Sequence, residues 1–478
     1  LGDNSLDEKS SQYHSIWPIY VILLGWMCSI LILPEYKYMG ATEMMPAGAV
    51  LALGLLLTVI IAVARQPDSL FRVENLVMLG IFYWVVLDAV QGAYDYWGVS
   101  RTAMVKSFCA IALFGVSVWV GSIWASTLKV KASVREFVSI DADFLFVAVL
   151  SAFLLSMLRV FIACKLDLMC IAGGLLAPRF ESPWHTLDVA NLDTILVHLQ
   201  NLGKLIPPLT VALFYMERRF SWRVFLCLLL GIIALFIVIQ SGGRRHVGMV
   251  VGASLFVWLL LLRPLKWRHL VAATAVAACL IYLMEIMVTW RNEGFSAVFE
   301  ERVVYEDYSG HEPLIKVDRN LKFMAYIMDV VPERHPHTGW EGIYSILAAP
   351  IPRSILPGKP AVHAFPIRDY VSHLPQAPSW TWTCSSVCDF YLIGGFLGVS
   401  LGGFAFGVMA YFANGLLVPP VTIRKALMYG VIAMVLFISI RAVREVMRLG
   451  LGVVLLWMIL LVRQFLLNRW KILSNSRG

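Results

Sequence analysis

Residues 224–262 read VFLCLLLGIIALFIVIQ, then SGGRRHVG, then MVVGASLFVWLLLL. Each apolar run approaches the ~20 residues that a helix needs to cross a hydrocarbon layer. A helix on the surface of a soluble domain would keep a polar face, and neither run has one. The stretch therefore predicts two membrane-spanning helices. Their backbone groups are satisfied internally, and the polar turn sits at a membrane surface.

The rest of the chain has the same character. Of 478 residues, 59% are hydrophobic and 15% charged, and the mean hydropathy is +0.75. Soluble domains average about 25% charged residues, so a soluble or a disordered protein is excluded. Twelve spans are expected, at about 17–34, 47–64, 76–91, 105–124, 143–161, 204–216, 223–241, 247–262, 270–289, 389–413, 426–442 and 447–466. The fold class is thus an all-α polytopic membrane protein of about 12 transmembrane helices. The sixth span is short and carries Pro207 and Pro208, so it is expected to be broken or tilted. No cleavable leader pattern precedes the first span, which is expected to act as an uncleaved anchor.

The chain divides into three parts. Residues 1–289 hold nine spans and a smaller loop at about 162–203. Residues 290–388 form a large loop, and 389–478 hold three spans. With both termini in the cytoplasm, Lys and Arg are in excess on that side. Arg65, Arg72, Arg218, Arg219, Arg223, Arg263 and Lys266 are among them. This is the orientation that the positive-inside bias favours. The formal charge of +8 fits such loops, and nucleic acid is not implied. The other reading of the excess is an anionic substrate. The eight cysteines show no CxxC or Cys/His zinc spacing, and no metal site is expected. Cys384 and Cys388 are spaced for a disulfide only awkwardly if helical.

Three segments can carry chemistry. The first is SGGRRHVG, 241–248, where Arg244 and Arg245 would face outward against the charge bias. Desolvated guanidinium at a membrane edge is costly unless paired, and phosphate oxygens match its planar fork. The bland alternative is snorkelling to lipid headgroups. The second is SIRAVREVMRLG, 439–450, which places Arg441, Arg444 and Arg448 on one helical face. An ordinary cytoplasmic anchor is its alternative. The third is the large loop, with His311, His335, His337, His363 and His373 beside Glu341 and Asp389. Any of these groups could act as a general base, or be a solvated loop residue. Trp340, Phe365, Tyr370, Trp380 and Trp382 could stack on sugars or form an interfacial belt.

The layout resembles the O-antigen polymerase (Wzy-type) and O-antigen ligase superfamily, and within it the oligosaccharide repeat unit polymerases. Four segments carry the likeness: SGGRRHVG; PIPRSILPGKP at 350–360; SSVCDFYLIGGFLG at 385–398; and SIRAVREVM. The third usually has Glu where this chain has Asp389. The resemblance implies a GT-C-like membrane glycosyltransferase without a metal or other cofactor. Its donor would be a glycan on undecaprenyl diphosphate, and its acceptor a sugar hydroxyl of another lipid-linked repeat unit. It also implies O-antigen or exopolysaccharide synthesis at the periplasmic face of the bacterial inner membrane, with a chain-length regulator (copolymerase) as partner.

On that reading Arg244, Arg245, Arg441 and Arg353 bind the diphosphate. Asp389, His335 and His337 are candidates for the base, and Trp340 and Tyr370 contact glycan. Arg244, Arg245 and Arg441 are expected to converge on one site, roofed by the large loop. A ligase that moves finished glycan to another acceptor, and a transporter of lipid-linked glycan, are the competing readings.

Overall fold

The structure, a computed structural model, describes residues 16–35, 40–93, 98–128, 140–178, 181–187, 193–240, 243–263, 266–290, 294, 313–352, 355–358, 383–447, 449–451, 454, 458 and 462. Among these, every regular element is helical. The chain begins with α1 (Trp17–Ile32), α2 (Ala41–Arg65), α3 (Val73–Val90) and α4 (Arg101–Thr127). It continues through α5 (Ala142–Cys164), α6 (Leu168–Leu176), α7 (Asp193–Gln200) and α8 (Ile206–Glu217). Then come α9 (Trp222–Gln240), α10 (Arg244–Leu261) and α11 (Trp267–Trp290). Two shorter helices, α12 (Asn320–Val330) and α13 (Gly339–Ala348), precede α14 (Ser385–Asn414) and α15 (Ile423–Ser439).

Among the described residues, seven helices are long and apolar enough to cross a membrane: α2, α3, α4, α5, α9, α10 and α14. The chain is thus an α-helical polytopic membrane protein, all-helical among the described residues. Each expected span up to 426–442 falls on a helix, but α1, α8, α11 and α15 are not among those seven. Most of the expected span at 447–466 lies outside the described residues.

Of the break or tilt expected in the sixth span, the break is absent for a local reason. Pro207 and Pro208 do not break it. They lie in the first turn of α8, after a 3₁₀ turn at Asn201–Leu205. Proline is tolerated there because the first-turn N–H groups have no intrahelical partner.

Small residues set the closest packing. A Cβ at Gly407 of α14 would clash with the Val118 carbonyl oxygen of α4, and one at Gly121 of α4 with the Phe404 carbonyl oxygen. Such approaches replace hydrophobic collapse as the glue between helices in lipid. Helix α3 contains a π-turn at Phe82–Val86. There the Trp84 carbonyl accepts a hydrogen bond from the Asn320 side-chain amide, at 2.6 Å. Asn320 opens α12, whose Leu321, Met324 and Met328 are all buried, with Val331 just beyond it. Most of this helix is buried. It is wedged among the helix ends and packs on α4.

The helix ends gather at two ends of the bundle. At one, Asn414 meets Glu74 at 2.7 Å, and Arg223 meets Asp143 at 2.6 Å. At the other, Ser100 bonds Asp329 at 2.6 Å, and the Ser386 N–H bonds the Ile440 carbonyl at 2.8 Å. The second end also joins the two expected loops, where the His198 ring bonds the Pro350 carbonyl at 2.8 Å. A disulfide, Cys164–Cys170, closes the turn between α5 and α6 there. Cys384 and Cys388 are both free.

Candidate functional site

The basic turn becomes the first turn of α10. Arg244 and Arg245 follow the cap residue Gly243. A Cβ at Gly243 would sit 2.7 Å from the His246 ring, so glycine lets that ring fold back on the turn. Two cations at a helix N-terminus oppose the macrodipole, and burial adds a desolvation cost. Anionic partners must offset both.

The structure supplies two carboxylates. Asp318 lies in the non-helical stretch before α12. One of its oxygens accepts from Arg244 Nη2 at 3.3 Å, and the other accepts from Arg441 Nε. Arg245 Nη1 lies 3.3 Å from Glu445, which is 1% exposed. Burial pushes the Asp318 carboxyl up. The Arg441 and Arg244 guanidiniums outweigh it and hold the group below the usual carboxylate range. Arg244 is only 10% exposed, and its Nη1 is buried with no acceptor. A fourth cation, the buried Lys204, donates to Asn201 Oδ1 at 2.7 Å and to His246 Nδ1 at 2.9 Å. It ties the start of α8 to the basic turn.

Arg441 is positioned by the start of α14. The Ser386 N–H bonds the Ile440 carbonyl, and the Ser386 hydroxyl bonds the Ser439 carbonyl. Asp389, 5% exposed, accepts from the Val443 N–H at 2.9 Å. Asp389 thus holds the backbone that carries Arg441 and Glu445. Among the described residues, its hydrogen bonds go to Val443 and Cys384.

The remaining candidates lie around a break in α14. Gly394 and Gly395 leave helical geometry, and Gly395 has φ +61°, a region that glycine enters at little cost. The break frees the Leu392 carbonyl, which accepts from the Thr338 N–H at 2.7 Å and its hydroxyl at 3.2 Å. His337 packs here, edge-on to the Tyr391 ring at 5.6 Å, with a buried and unpartnered Nδ1. The His335 N–H bonds the Val330 carbonyl at 3.1 Å. Trp340 is 70% exposed. Arg353 and Tyr370 lie outside the described residues, as do His311, His363, His373, Trp380, Trp382 and Arg448.

Sequence reasoning missed Asp318, Glu445 and Lys204. Glu445 stands inside the quoted SIRAVREVM, beside the arginines that need an acid. Asp318 carried a weaker signal, a single carboxylate at the head of an apolar helix. No family model matches the chain, and neither a curated protein nor a solved structure matches it.

Proposed function

We propose that the chain is a bacterial inner-membrane glycosyltransferase that polymerises undecaprenyl-diphosphate-linked repeat units. Arg244, Arg245 and Arg441 form its diphosphate seat. One observation carries the reading. Arginines from helix ends almost 200 residues apart in sequence meet on one carboxylate, and one of their nitrogens is buried without an acceptor. The Arg244 Nη1 group is a donor that no acceptor among the described residues takes.

The chemistry follows from the donor. The acceptor hydroxyl attacks the anomeric carbon, and the bond from that carbon to the diphosphate oxygen breaks. Charge grows on the leaving oxygen, where fixed guanidiniums act without reorganisation. The hydroxyl proton passes to a base, for which Asp389, His335 and His337 are the candidates. Trp340 offers a stacking face for sugar. Arginine supplies the charge neutralisation, so the scheme calls for no metal.

The arginine end is assigned to the periplasm. A disulfide at that end suits an oxidising compartment, and exposed Arg218 and Arg219 at the other suit the cytoplasm. Single cysteines at exposed Leu314 and Phe220, in a background without native cysteines, check this. An impermeant maleimide added to intact spheroplasts should label position 314 and miss 220. The reverse pattern would overturn the orientation and the reaction placed on it.

The reaction test uses purified lipid-linked repeat units. Wild type should give a ladder of products. Arg441→Ala should lower the rate by about 100- to 1,000-fold, the usual cost of losing one charge-stabilising donor. Arg441→Lys should recover little, because a point charge does not reproduce the fork. Near-normal ladders from the Ala variants of Arg244, Arg245 and Arg441 alike would end the proposal. A single transfer to a foreign acceptor would replace polymerisation with ligation.

A further inference from the structure

We propose that Asp318 is the specificity-determining residue of the arginine seat: an internal carboxylate that occupies the anion's place and yields it to a diphosphate in preference to a monophosphate. The inference rests on the seat reading above and deepens it.

Geometry comes first. Each Asp318 oxygen takes one guanidinium, Arg244 on one side at 3.3 Å and Arg441 on the other. Two oxygens of one phosphate would be held in the same way. The seat has capacity left over, because Arg244 Nη1 is buried without an acceptor. A carboxylate fills part of the seat, whereas a diphosphate brings more oxygens.

The two acids of the cluster are not equivalent. Glu445 is 1% exposed, at the bottom of the cluster, while Asp318 is 22% exposed and has a route to solvent. Asp318 is therefore the exchangeable one. Its segment need not unfold for the exchange. Two hydrogen bonds between the Gln91 amide and the Ile315 backbone hold one side, at 3.0 and 2.8 Å. Glu285 accepts from the Lys316 N–H at 2.9 Å. Asn320 is fixed on the π-turn of α3. Between these anchors, a rotation of the Asp318 side chain releases both arginines.

Charge then sets the threshold. Among the described residues, Arg244, Arg245 and Arg441 meet two carboxylates, Asp318 and Glu445. A monophosphate, which carries about −1.5 to −2 at neutral pH, replaces the charge of Asp318 and adds at most about one more. A diphosphate brings more negative charge and more acceptors, so its net gain is larger. An internal competitor of this kind gives discrimination by penalising the wrong ligand.

The test measures binding of three probes to the full chain in detergent: inorganic pyrophosphate, farnesyl diphosphate and farnesyl monophosphate. Wild type should prefer farnesyl diphosphate to the monophosphate by about tenfold or more, equivalent to about 1.4 kcal/mol. In Asp318→Asn, both farnesyl probes should bind tighter, the monophosphate about tenfold, so that the preference narrows. Asp318→Ser serves as a second uncharged variant should the first not fold. Asp318→Glu should keep the wild-type preference. Pyrophosphate separates a seat for free anion from one that also needs a prenyl chain. Weaker or unchanged binding in both uncharged variants, with wild type binding well, would overturn the inference alone and make Asp318 a positioning residue. Absence of binding in wild type, or equal binding in Arg441→Ala, would overturn the seat itself and this inference with it.

Discussion

The two ends of the bundle both bury acids with arginines, and they balance them differently. At the Glu74 end, one fully buried carboxylate gathers Arg72 at 3.2 Å, Asn414 at 2.7 Å and the Ser122 hydroxyl. These donors come from the starts and ends of α3, α4 and α14, so the knot clasps helices together. At the other end, among the described residues, two arginines, Arg244 and Arg441, share the one carboxylate of Asp318, and Arg244 Nη1 has no acceptor, as Arg263 Nε has none at the Glu74 end. A buried polar group without a partner costs on the order of 1–3 kcal/mol. On the proposed function, the first end is a structural clasp, and the second takes an anion from outside.

Breaking each end should therefore hurt different properties. The largest effect on stability is expected from Glu74→Ala. Removing one partner of a buried pair strands the other, at about 3–5 kcal/mol. Thermal unfolding in detergent should show a large drop, while product formed per folded molecule stays near wild type. Arg441→Ala should do the reverse, with a large loss of rate and a smaller loss of stability, because Asp318 keeps Arg244. A stable Glu74→Ala protein without activity would erase the distinction between the ends.

A smaller effect is expected from pH. The Asp318 carboxyl is held below its ordinary value in the folded protein, against about 3.9 when unfolded. Its contribution to stability is then fully present above the unfolded value and is lost as pH falls below about 4. Between pH 8 and 5, wild type and Asp318→Asn should differ in melting temperature by a constant amount. Below about pH 4 the gap should close. A gap that closes between pH 7 and 6 would mean that another group, such as His246, controls the cluster.

Much of the fold was legible in the sequence because a span is a local property. The runs at 143–161 and 223–241 became α5 and α9 within a few residues at each end. Arg244 and Arg441 were legible as anomalies, since on the expected orientation each breaks a statistical rule about charge. Their partners were not legible. Ion pairing between residues 318 and 441 depends on which helix ends meet, and no periodicity records that. Pro207 and Pro208 were misread for a related reason, because a proline pair means a break inside a helix and a beginning in its first turn. The Gly394–Gly395 break was visible as a pair of glycines in SSVCDFYLIGGFLG, but the Thr338 cap on Leu392 is a tertiary fact.

The smallest expected effect sharpens the comparison within the arginine end itself. Helix α14 runs through both ends, from the Asp389 contact that holds the arginine segment to Asn414 in the Glu74 knot. Its break at Gly394–Gly395 is capped by Thr338, next to His337. In Thr338→Val the backbone N–H still bonds the Leu392 carbonyl, and only the hydroxyl bond is lost. That should cost about 0.5–1.5 kcal/mol, a small fall in melting temperature. If the break is scaffolding, the rate should stay within about threefold of wild type, which is under 1 kcal/mol of barrier. His337→Ala separates the ring from the cap, since it leaves both Thr338 bonds in place. A loss above about tenfold in Thr338→Val, with His337→Ala equally impaired, would make the helix break part of the reacting site. The poised region would then extend from the arginines to the middle of α14, and the division between a structural and a functional end would have to be drawn through that helix.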